Sequence, residues 1–355
     1  MVPRELASIR GSALKIAAVV SGRADDAPMG PVIAELAALN ANVVKLDMSE
    51  RLLDDSPHSC VRALTDGMEF VARQLEDIRP DLVLLLGDRY ETLGAAQVAH
   101  IFGIPIAHIH GGETTEGSFD NEFRHAITCL AHRHFVVHDE AAVRVFDIVH
   151  GRHYGAGGGD GLLPTNIHIV GAPGLDNIVD LPPQEFERPY FLVTYHPVTK
   201  GETRGHTAIV KALESFPNYG VIWTGVNNDP GRDAVQATFF NVGKMWAGMD
   251  NLSPKRYLSA MKYAACCIGN SSSFLIEAPA LGVPTVNVGD RQKGRLRGHS
   301  VMDAVDDAKD IESKIRLAFK YRGITPSGPF TNPYGSPGAS KRIAEMLTCI
   351  VEDRI

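Results

Sequence analysis

Short runs of apolar residues alternate along the chain with longer stretches whose apolar positions recur every three or four residues. The short runs are typical of buried parallel strands, and the longer stretches are typical of helices that cover a sheet. Residues 21–30 are predicted to form a loop after the first strand. In the first half of the chain, the pattern predicts strands at 15–20, 43–46, 81–86, 104–108, 134–137 and 167–170, and helices at 31–39, 59–78, 91–102 and 121–131.

The alternation restarts after residues 171–183, which contain enough Gly and Pro to form a linker between domains. Residues 150–164 are rich in glycine and are predicted to be a surface insertion. In the second half, strands are predicted at 190–194, 219–224, 266–269 and 284–288, and helices at 203–215, 230–240, 253–264 and 274–281.

Two successive series of strand–helix units predict an α/β protein with two Rossmann-like domains that face a cleft. The amphipathic stretch at 340–351 is predicted to be a helix that returns to the first domain. We therefore expect domains at residues 1–174 and 175–338, followed by a C-terminal helix at 339–355.

Composition and charge narrow the classes of protein that fit. The chain has 355 residues, which is more than a single hydrophobic core usually holds, so two domains are expected. Its net charge of -7 argues against nucleic acid or an anionic membrane as a partner. Its five cysteines are scattered without the spacing of a metal site, as in a reducing compartment. Neither a membrane helix nor a signal peptide is recognisable, so we expect a cytoplasmic protein. Because the cysteines lack the spacing of a metal site, we also expect no bound metal.

The stretch 269–273 is the first candidate for chemistry, because a predicted strand ends there and a helix begins. Backbone N–H groups at a helix start bind anions, and the hydroxyls of Ser271, Ser272 and Ser273 add donors. Glu277, one turn further on, is placed to accept hydrogen bonds from ribose hydroxyls. The alternative, in which the serines only cap the helix, is equally compatible with this local pattern.

Two further loops in the second half follow predicted strands directly. Arg291 opens a cationic run after the strand at 284–288, where it could neutralise phosphate through a bidentate contact, although a solvated charge run is the usual reading. His196 follows the strand at 190–194 and precedes a proline. A lone histidine is more often structural, but this position faces the predicted cleft.

Three carboxylates in the first half are predicted to lie at one sheet edge. Asp88 follows the strand at 81–86, Glu113 follows the strand at 104–108, and Asp120 opens the helix after it. Converging carboxylates suit general acid–base chemistry, because one can hold a proton while another stays ionised. Asp120 fits an N-cap equally well.

Taken together and in order, these segments resemble the hydrolysing UDP-N-acetylglucosamine 2-epimerases of sialic-acid and legionaminic-acid biosynthesis. The resemblance is carried by GDRYETL, PIAHIHGGETTEGSFDNEFRHAIT, VGAPGLDNI, YHPVT, GNSSSFLIEAPALGVPTVNVGDRQKGR and NPYG. It implies a fold of the GT-B type, with the nucleotide on the second domain and the sugar in the cleft. It also implies nucleotide or diphosphate contacts by Ser271, Ser272, Glu277, Arg291, His196, Asn227 and the backbone of Leu252, substrate contacts by Arg23 and Arg89, and catalytic acids at Asp88, Glu113 and Asp120.

The resemblance implies a reaction on a nucleotide-diphosphate sugar that needs no cofactor, in a homodimer or homotetramer. Glu113 or Asp88 would remove the C2 proton of a 2-acetamido sugar, and Asp120 or Glu113 would handle the proton when water adds to the glycal. The charge of the leaving diphosphate would be stabilised by Arg23, Arg291, the Ser271–Ser273 amides and His196, which is therefore counted as a fourth catalytic residue. A non-hydrolysing epimerase, a hydrolase of a modified sugar and a GT-B glycosyltransferase are the alternatives. A non-catalytic sensor fits poorly, because an anion binder gains nothing from buried carboxylates.

Three departures from the family pattern concern the sugar or the base more than the reaction. Asp26 stands where the family has Tyr in its first loop, and Ala27 follows it. Residues 46–51 lack the histidine that usually follows the second strand, and Asn121 replaces a second Asp after Asp120.

Overall fold

Two six-stranded sheets, both entirely parallel, organise the chain. The computed structural model describes residues 13–49, 54, 56–151, 165–186, 189–227, 229–240, 246–249, 252–321 and 332–352. The predicted insertion at 150–164 falls almost wholly outside these residues, as does the side chain of Arg23.

The first sheet has the strand order β2-β1-β3-β4-β5-β6, so chain order reverses between β1 and β3. Helices follow its first five strands, and a 3₁₀ helix at Pro173–Ile178 follows the last. The strands are β1 Lys15–Val20, β2 Asn42–Asp47, β3 Leu82–Leu86, β4 Ile106–Ile109, β5 Arg133–Val136 and β6 Ile167–Ile169, and the helices are α1 Arg23–Ala38, α2 Pro57–Ile78, α3 Tyr90–Ile101, α4 Asp120–Leu130 and α5 Asp139–His150.

The second sheet has the order β12-β11-β10-β7-β8-β9, with its reversal between β7 and β10. Helices follow five of its strands, and the last helix lies against the first sheet. The strands are β7 Tyr190–Thr194, β8 Gly220–Thr224, β9 Trp246–Met249, β10 Cys266–Gly269, β11 Thr285–Val288 and β12 Val301–Ala304, and the helices are α6 Gly205–Leu213, α7 Arg232–Phe240, α8 Pro254–Tyr263, α9 Ser273–Ala280, α10 Ala308–Ala318 and α11 Ala339–Glu352.

Each sheet is buried on both faces, which explains its near-continuous apolar strands. All five residues of β3 are buried, and so are all five of β7. Helix α11 packs on the first sheet, because Ile343, Ala344 and Leu347 join the core cluster that contains Ile16 of β1. The predicted two-sheet α/β fold and the returning helix are therefore confirmed, whereas the domain limits at 174 and 338 stay a prediction.

The predicted loop at 21–30 is wrong for most of its length, because α1 begins at Arg23 and contains Pro28 and Pro31. Proline inside a helix removes a backbone hydrogen bond and argues against helix in the sequence. Packing overrides that preference here, since Met29 and Val32 of the same stretch are fully buried in the core.

Four strands and helices were not predicted from the pattern, namely α5, β9, β12 and α10, and the 3₁₀ helix at Pro173–Ile178 lies where a linker was predicted. Strand β12 lies at an edge of the second sheet and is mostly half-exposed, so it lacks the apolar run of a buried strand. Helix α10 is strongly polar and buries only Ile311, Ile315 and Ala318. Across the parts of the chain that the structure describes, no helix has both the length and the apolar character needed to cross a membrane.

Candidate functional site

A cleft of about 580 Å³ lies between the carboxyl ends of the two sheets. Its lining includes the first turns of α1, which follows β1, and the loops after β3, β7 and β10. These are the strands that flank the reversal of chain order in each sheet. Open parallel sheets bind ligands at such reversals, so both sheets present their natural binding edge to the same space.

The turn after β10 is held against the end of β7. Gly269 has φ 141°, and a side chain there would overlap the carbonyl oxygen of Thr194, so the position requires glycine. Asn270, fully buried, accepts from the His196 N–H at 2.7 Å and donates to its carbonyl oxygen at 2.8 Å. The serine loop and the His196 loop therefore form one rigid wall.

Ser271, Ser272 and Ser273 all line the cleft at the start of α9. Ser272 is the N-cap residue, yet its side chain makes no capping hydrogen bond. Hydroxyls and helix N–H groups thus meet at the same edge of the cleft, an arrangement that suits an anion. This geometry favours an anion site over simple capping.

Glu277 also lines the cleft, one turn into α9. Burial raises its pKa to about 7, even though a hydrogen bond from Ser273 works in the opposite direction. Its Oε2 has no hydrogen-bond partner. Gly174 of the 3₁₀ helix packs against Oε1 so closely that any side chain at 174 would overlap it. Glu277 is therefore a buried acceptor with unused capacity.

Arg89 and Arg291 reach the cleft from opposite sheets and meet at Asp229. Arg89 donates to Asp229 Oδ1 at 3.2 Å and forms a bidentate pair with Glu91, at 3.1 and 3.0 Å. Arg291 lies 3.9 Å from Asp229 Oδ2. Burial would raise the pKa of Asp229, but the two guanidiniums outweigh it and hold the pKa below its usual range. The cleft thus contains two buried cations directed at one anionic position.

Asp120 lies beside this cluster, at the start of α4, and lines the cleft. Its Oδ2 accepts from the Ser118 hydroxyl at 2.6 Å, while Oδ1 has no partner. Burial, together with the negative charge of Asp229, raises the pKa of Asp120. Asp120 is therefore suited to carry a proton, as the predicted acid–base role requires.

Glu113 lies behind His110 when viewed from the cleft. Its side chain is 1% exposed and that of His110 is 10% exposed, and His110, not Glu113, is among the described residues that line the cleft. Glu113 Oε2 lies 2.8 Å from His110 Nδ1, and Oε1 lies 3.5 Å from Arg295. Burial would raise the pKa of Glu113, but Arg295 and His110 lower it to about 2.

Asp88 lies at the end of β3, lines the cleft and forms an ion pair with the fully buried Arg124 of α4. The same guanidinium donates to the Glu113 carbonyl oxygen at 2.9 Å and to Thr115 at 3.2 Å. Arg124 thereby ties together the loops that carry all three predicted carboxylates.

His196, Asn227 and Leu252 line the cleft on the side of the second sheet. The Asn227 backbone N–H donates to His196 Nδ1 at 3.2 Å. Since Nδ1 accepts this bond, the proton of a neutral His196 ring resides on Nε2, which makes that nitrogen a donor.

The loop 114–118 of the first sheet's half bridges the cleft to the loop 290–294. Glu116 N–H donates to the Lys293 carbonyl oxygen at 2.9 Å, and the Thr114 hydroxyl donates to that of Gly294 at 2.7 Å. Gly117 lies so close that a side chain there would overlap the Asp290 carbonyl. These contacts join the first-sheet side of the cleft, which carries the predicted acid–base residues, to the loop that follows β11 and carries Arg291, the predicted phosphate contact.

Two of the departures from the family pattern, at Asp26 and at residues 46–51, lie after β1 and at the end of β2 of the first sheet. Asp26 lines the cleft and pairs with Lys45 of β2. Its neighbour Asp25 is buried, accepts from the Ser21 hydroxyl, and has a pKa that burial raises to about 6. Asp47 accepts from Ser49 N–H at 2.9 Å, whereas residues 50 and 51 lie outside the described part of the chain.

Sequence patterns did not single out Asp229, His110, Arg124 or Arg295 as functional. Asp229 lies two residues beyond Asn227 in the loop after β8, and this loop position was its one available signal. Arg295 belongs to a cationic run whose members look alike in sequence. No set of three or more His, Cys, Asp or Glu side chains among the described residues is arranged to hold a metal ion.

Comparisons with known proteins place this geometry in context. The sequence model of the UDP-N-acetylglucosamine 2-epimerase family matches residues 8–348. The GDP/UDP-N,N'-diacetylbacillosamine 2-epimerase (hydrolyzing) of Campylobacter jejuni subsp. jejuni serotype O:2 is 31% identical over 274 residues, which cover 74% of this chain and 71% of that protein. The polysialic acid biosynthesis protein P7 of Escherichia coli is 34% identical over 270 residues, which cover 72% of this chain and 66%, just under two thirds, of that protein.

The fold is also similar to solved structures. The UDP-GlcNAc 2-epimerase of Neisseria meningitidis, solved with bound UDP-GlcNAc, superposes with a TM-score of 0.73 at 18% identity. The superposition covers 95% of this chain and 100% of that one. The two-sheet architecture is thus shared.

Proposed function

Because the chain belongs to the UDP-N-acetylglucosamine 2-epimerase family, we propose that it is a hydrolysing 2-epimerase of a nucleotide-diphosphate sugar. The substrate is UDP-N-acetylglucosamine or a related UDP- or GDP-linked 2-acetamido sugar. The products are the free 2-epimer, of the N-acetylmannosamine type, and the nucleoside diphosphate. The name of the Campylobacter relative, which is a hydrolysing enzyme, supports this choice.

In this proposal the second sheet holds the nucleotide. The Ser271–Ser273 hydroxyls and the start of α9 bind the diphosphate, and Glu277 accepts hydrogen bonds from the ribose. Asn227 and the backbone of Leu252, which line the cleft nearby, contact the rest of the nucleotide.

The leaving diphosphate is stabilised by cations that are already in place. Arg89 and Arg291 converge on Asp229 at the cleft, and His196, whose Nδ1 accepts from the Asn227 N–H, can donate through Nε2. Preorganised charges of this kind favour a transition state in which negative charge develops on the departing oxygen. Arg23, at the start of α1, is proposed as a further substrate contact.

Elimination comes first. A base on the first-sheet wall removes the C2 proton, and the C2–H electron pair becomes the C1=C2 double bond. The C1–O bond breaks with its electrons on the diphosphate. Asp88 and the Glu113–His110 pair lie on that wall.

Hydration follows and sets the new configuration. A proton adds to C2 from the opposite face, the hydroxyl of water adds to C1, and the remaining proton of that water returns to the carboxylate that gave its proton to C2. Asp120 is proposed as the proton donor, because its buried carboxyl group lines the cleft and burial beside Asp229 raises its pKa, which favours the protonated form.

One observation carries the proposal: a cation pair and a serine-lined helix start share a single cleft with the buried carboxyl group of Asp120, whose Oδ1 has no partner and whose pKa is raised. A binding protein would need the cations but not Asp120. An enzyme that expels a diphosphate and moves a proton needs both.

The test is a mass-spectrometric screen of nucleotide sugars in heavy water, with no acceptor added. We expect a free 2-epimer carrying deuterium at C2, together with nucleoside diphosphate in equal amount. Product without deuterium at C2 would exclude elimination, and dependence on an acceptor would indicate a glycosyltransferase instead.

A non-hydrolysing epimerase is the second candidate, because the same cleft could return the diphosphate to C1. In that case the screen would yield an epimerised nucleotide sugar and no free nucleoside diphosphate. Assembly as a homodimer or homotetramer stays a prediction from the family resemblance.

A further inference from the structure

The imidazole of His110 stands between the cleft and the carboxylate of Glu113. His110 lines the cleft, whereas the Glu113 side chain is almost completely enclosed. The bond between Nδ1 and Oε2 is 2.8 Å long. Because an ionised carboxylate can only accept, Nδ1–H is the donor, and Nε2 is left as the ring nitrogen that can exchange a proton with a ligand.

The backbone at His110 adopts a conformation that a histidine rarely takes. Its φ is 66°, in the left-handed region that favours glycine. The position is held by a hydrogen bond from its N–H to the Phe135 carbonyl oxygen at 3.0 Å, and by Gly112, where a side chain would overlap the Ala141 carbonyl. Strain of this kind on a cleft-facing polar residue marks a position whose orientation matters.

Glu113 is placed to hold the ring rather than to take a proton itself. Its other oxygen faces Arg295 at 3.5 Å, and its pKa of about 2 keeps it ionised at neutral pH. A permanently ionised carboxylate behind a histidine orients the imidazole and stabilises the imidazolium that forms when the ring accepts a proton.

We propose that His110 is the catalytic base that removes the C2 proton, and that Glu113 is its positioning residue. The inference rests on the proposed elimination reaction. The C2–H bond breaks and its proton bonds to Nε2, while the electron pair forms the C1=C2 double bond and the C1–O pair leaves on the diphosphate. The imidazolium is paired with Glu113 until it releases the proton to water.

Charged and titratable groups surround His110 from several elements. His108 on β4, Glu113 in the following loop, His138 before α5 and Glu277 on α9 interact with the ring, and Arg124 on α4 and Arg295 after β11 contact Glu113 behind it. For that reason each variant changes no more than one of these groups, so that a change in its pH profile can be assigned to that group.

The experiment compares H110G and E113Q in the full-length protein. Glycine suits the left-handed backbone at 110 and leaves a ring-sized space beside Glu113. Controls are H150Q, at an exposed histidine at the end of α5, and E214Q, at an exposed carboxylate at the end of α6. UDP affinity and thermal unfolding report whether each variant keeps its fold and its nucleotide site.

For H110G we expect kcat to fall at least about 10²-fold, as for loss of a general base, with little change in KM. Added imidazole should restore part of the rate in proportion to its unprotonated fraction. E113Q should lose less activity, show no imidazole rescue and shift the acid limb of kcat/KM to lower pH, because the imidazolium has lost its carboxylate. The two control variants should turn over like the wild type.

The outcomes separate the base assignment from the reaction itself. Wild type that releases no nucleoside diphosphate and puts no deuterium at C2 overturns the proposed function and the inference with it. Active wild type with an H110G variant that keeps near-normal kcat, or that imidazole fails to rescue, overturns the assignment of His110 alone. Loss in E113Q that exceeds the loss in H110G would make Glu113 the base.

Discussion

Replacing Glu277 by glutamine should stabilise the ligand-free protein and weaken nucleotide binding at the same time. The carboxyl group is buried beside the cleft, its Oε2 has no partner, and its pKa is raised from 4.5 to about 7. Glutamine has nearly the same shape and carries no charge at any pH. The substitution therefore removes the cost of ionising this group in the folded state.

The magnitude follows from the pKa shift. The shift from 4.5 to about 7 corresponds to at most about 3 kcal/mol, since one pKa unit is worth about 1.4 kcal/mol and partial exposure to the cleft reduces the effect. The folded pKa lies above the unfolded one, so the folded state is favoured by protonation. Stability contributed by this group is full below about pH 4.5 and is lost as the pH rises to about 7.

The assay is urea unfolding of wild type and E277Q at several pH values from 5 to 8. We expect the variant's advantage in free energy of unfolding to grow across this range by about 2 kcal/mol. UDP affinity, measured by calorimetry at pH 8, should fall about 10-fold or more, because a charged acceptor for the ribose hydroxyls is lost. E116Q, at an exposed carboxylate, serves as the control.

A constant difference in stability between wild type and E277Q over this pH range would refute the raised pKa. Unchanged UDP affinity would refute the ribose contact, even if the stability result held. The two halves of the prediction thus fail independently.

Two other substitutions test the cleft from different sides. G269A should lower the free energy of unfolding by about 3 kcal/mol or more, because φ at residue 269 is 141° and the new methyl group meets the Thr194 carbonyl. G30A is its control: nothing lies within 4 Å of the carbon added in α1, so this substitution should raise the melting temperature slightly. D120N should lower kcat about 10²- to 10⁴-fold and abolish the alkaline limb of the pH–rate profile, because the raised pKa of Asp120 makes loss of its proton the event that limits activity as the pH rises. A D120N variant that keeps the alkaline limb would assign that limb to another group.

The apolar pattern determined much of the architecture. Buried parallel strands such as β3 and β7 are nearly continuous apolar runs, so they stand out in the sequence and their carboxyl ends can be located. The rule that ligands bind at those ends then pointed to the serine loop, to His196 and to the loops of Asp88 and Glu113. Half-exposed elements such as β12, and helices with internal proline such as α1, lack that clear pattern.

Only the tertiary structure decided which charges meet and which groups face the cleft. Arg89 and Asp229 are 140 residues apart in the chain, and Glu113 meets Arg295 from the other sheet. Hydrophobic periodicity reports which side of a strand or helix is buried, but pairing and pKa depend on distances and on exposure, which arise when the two sheets come together. For that reason the sequence predicted a catalytic role for Glu113, whereas the fold shows that His110 lies between Glu113 and the cleft.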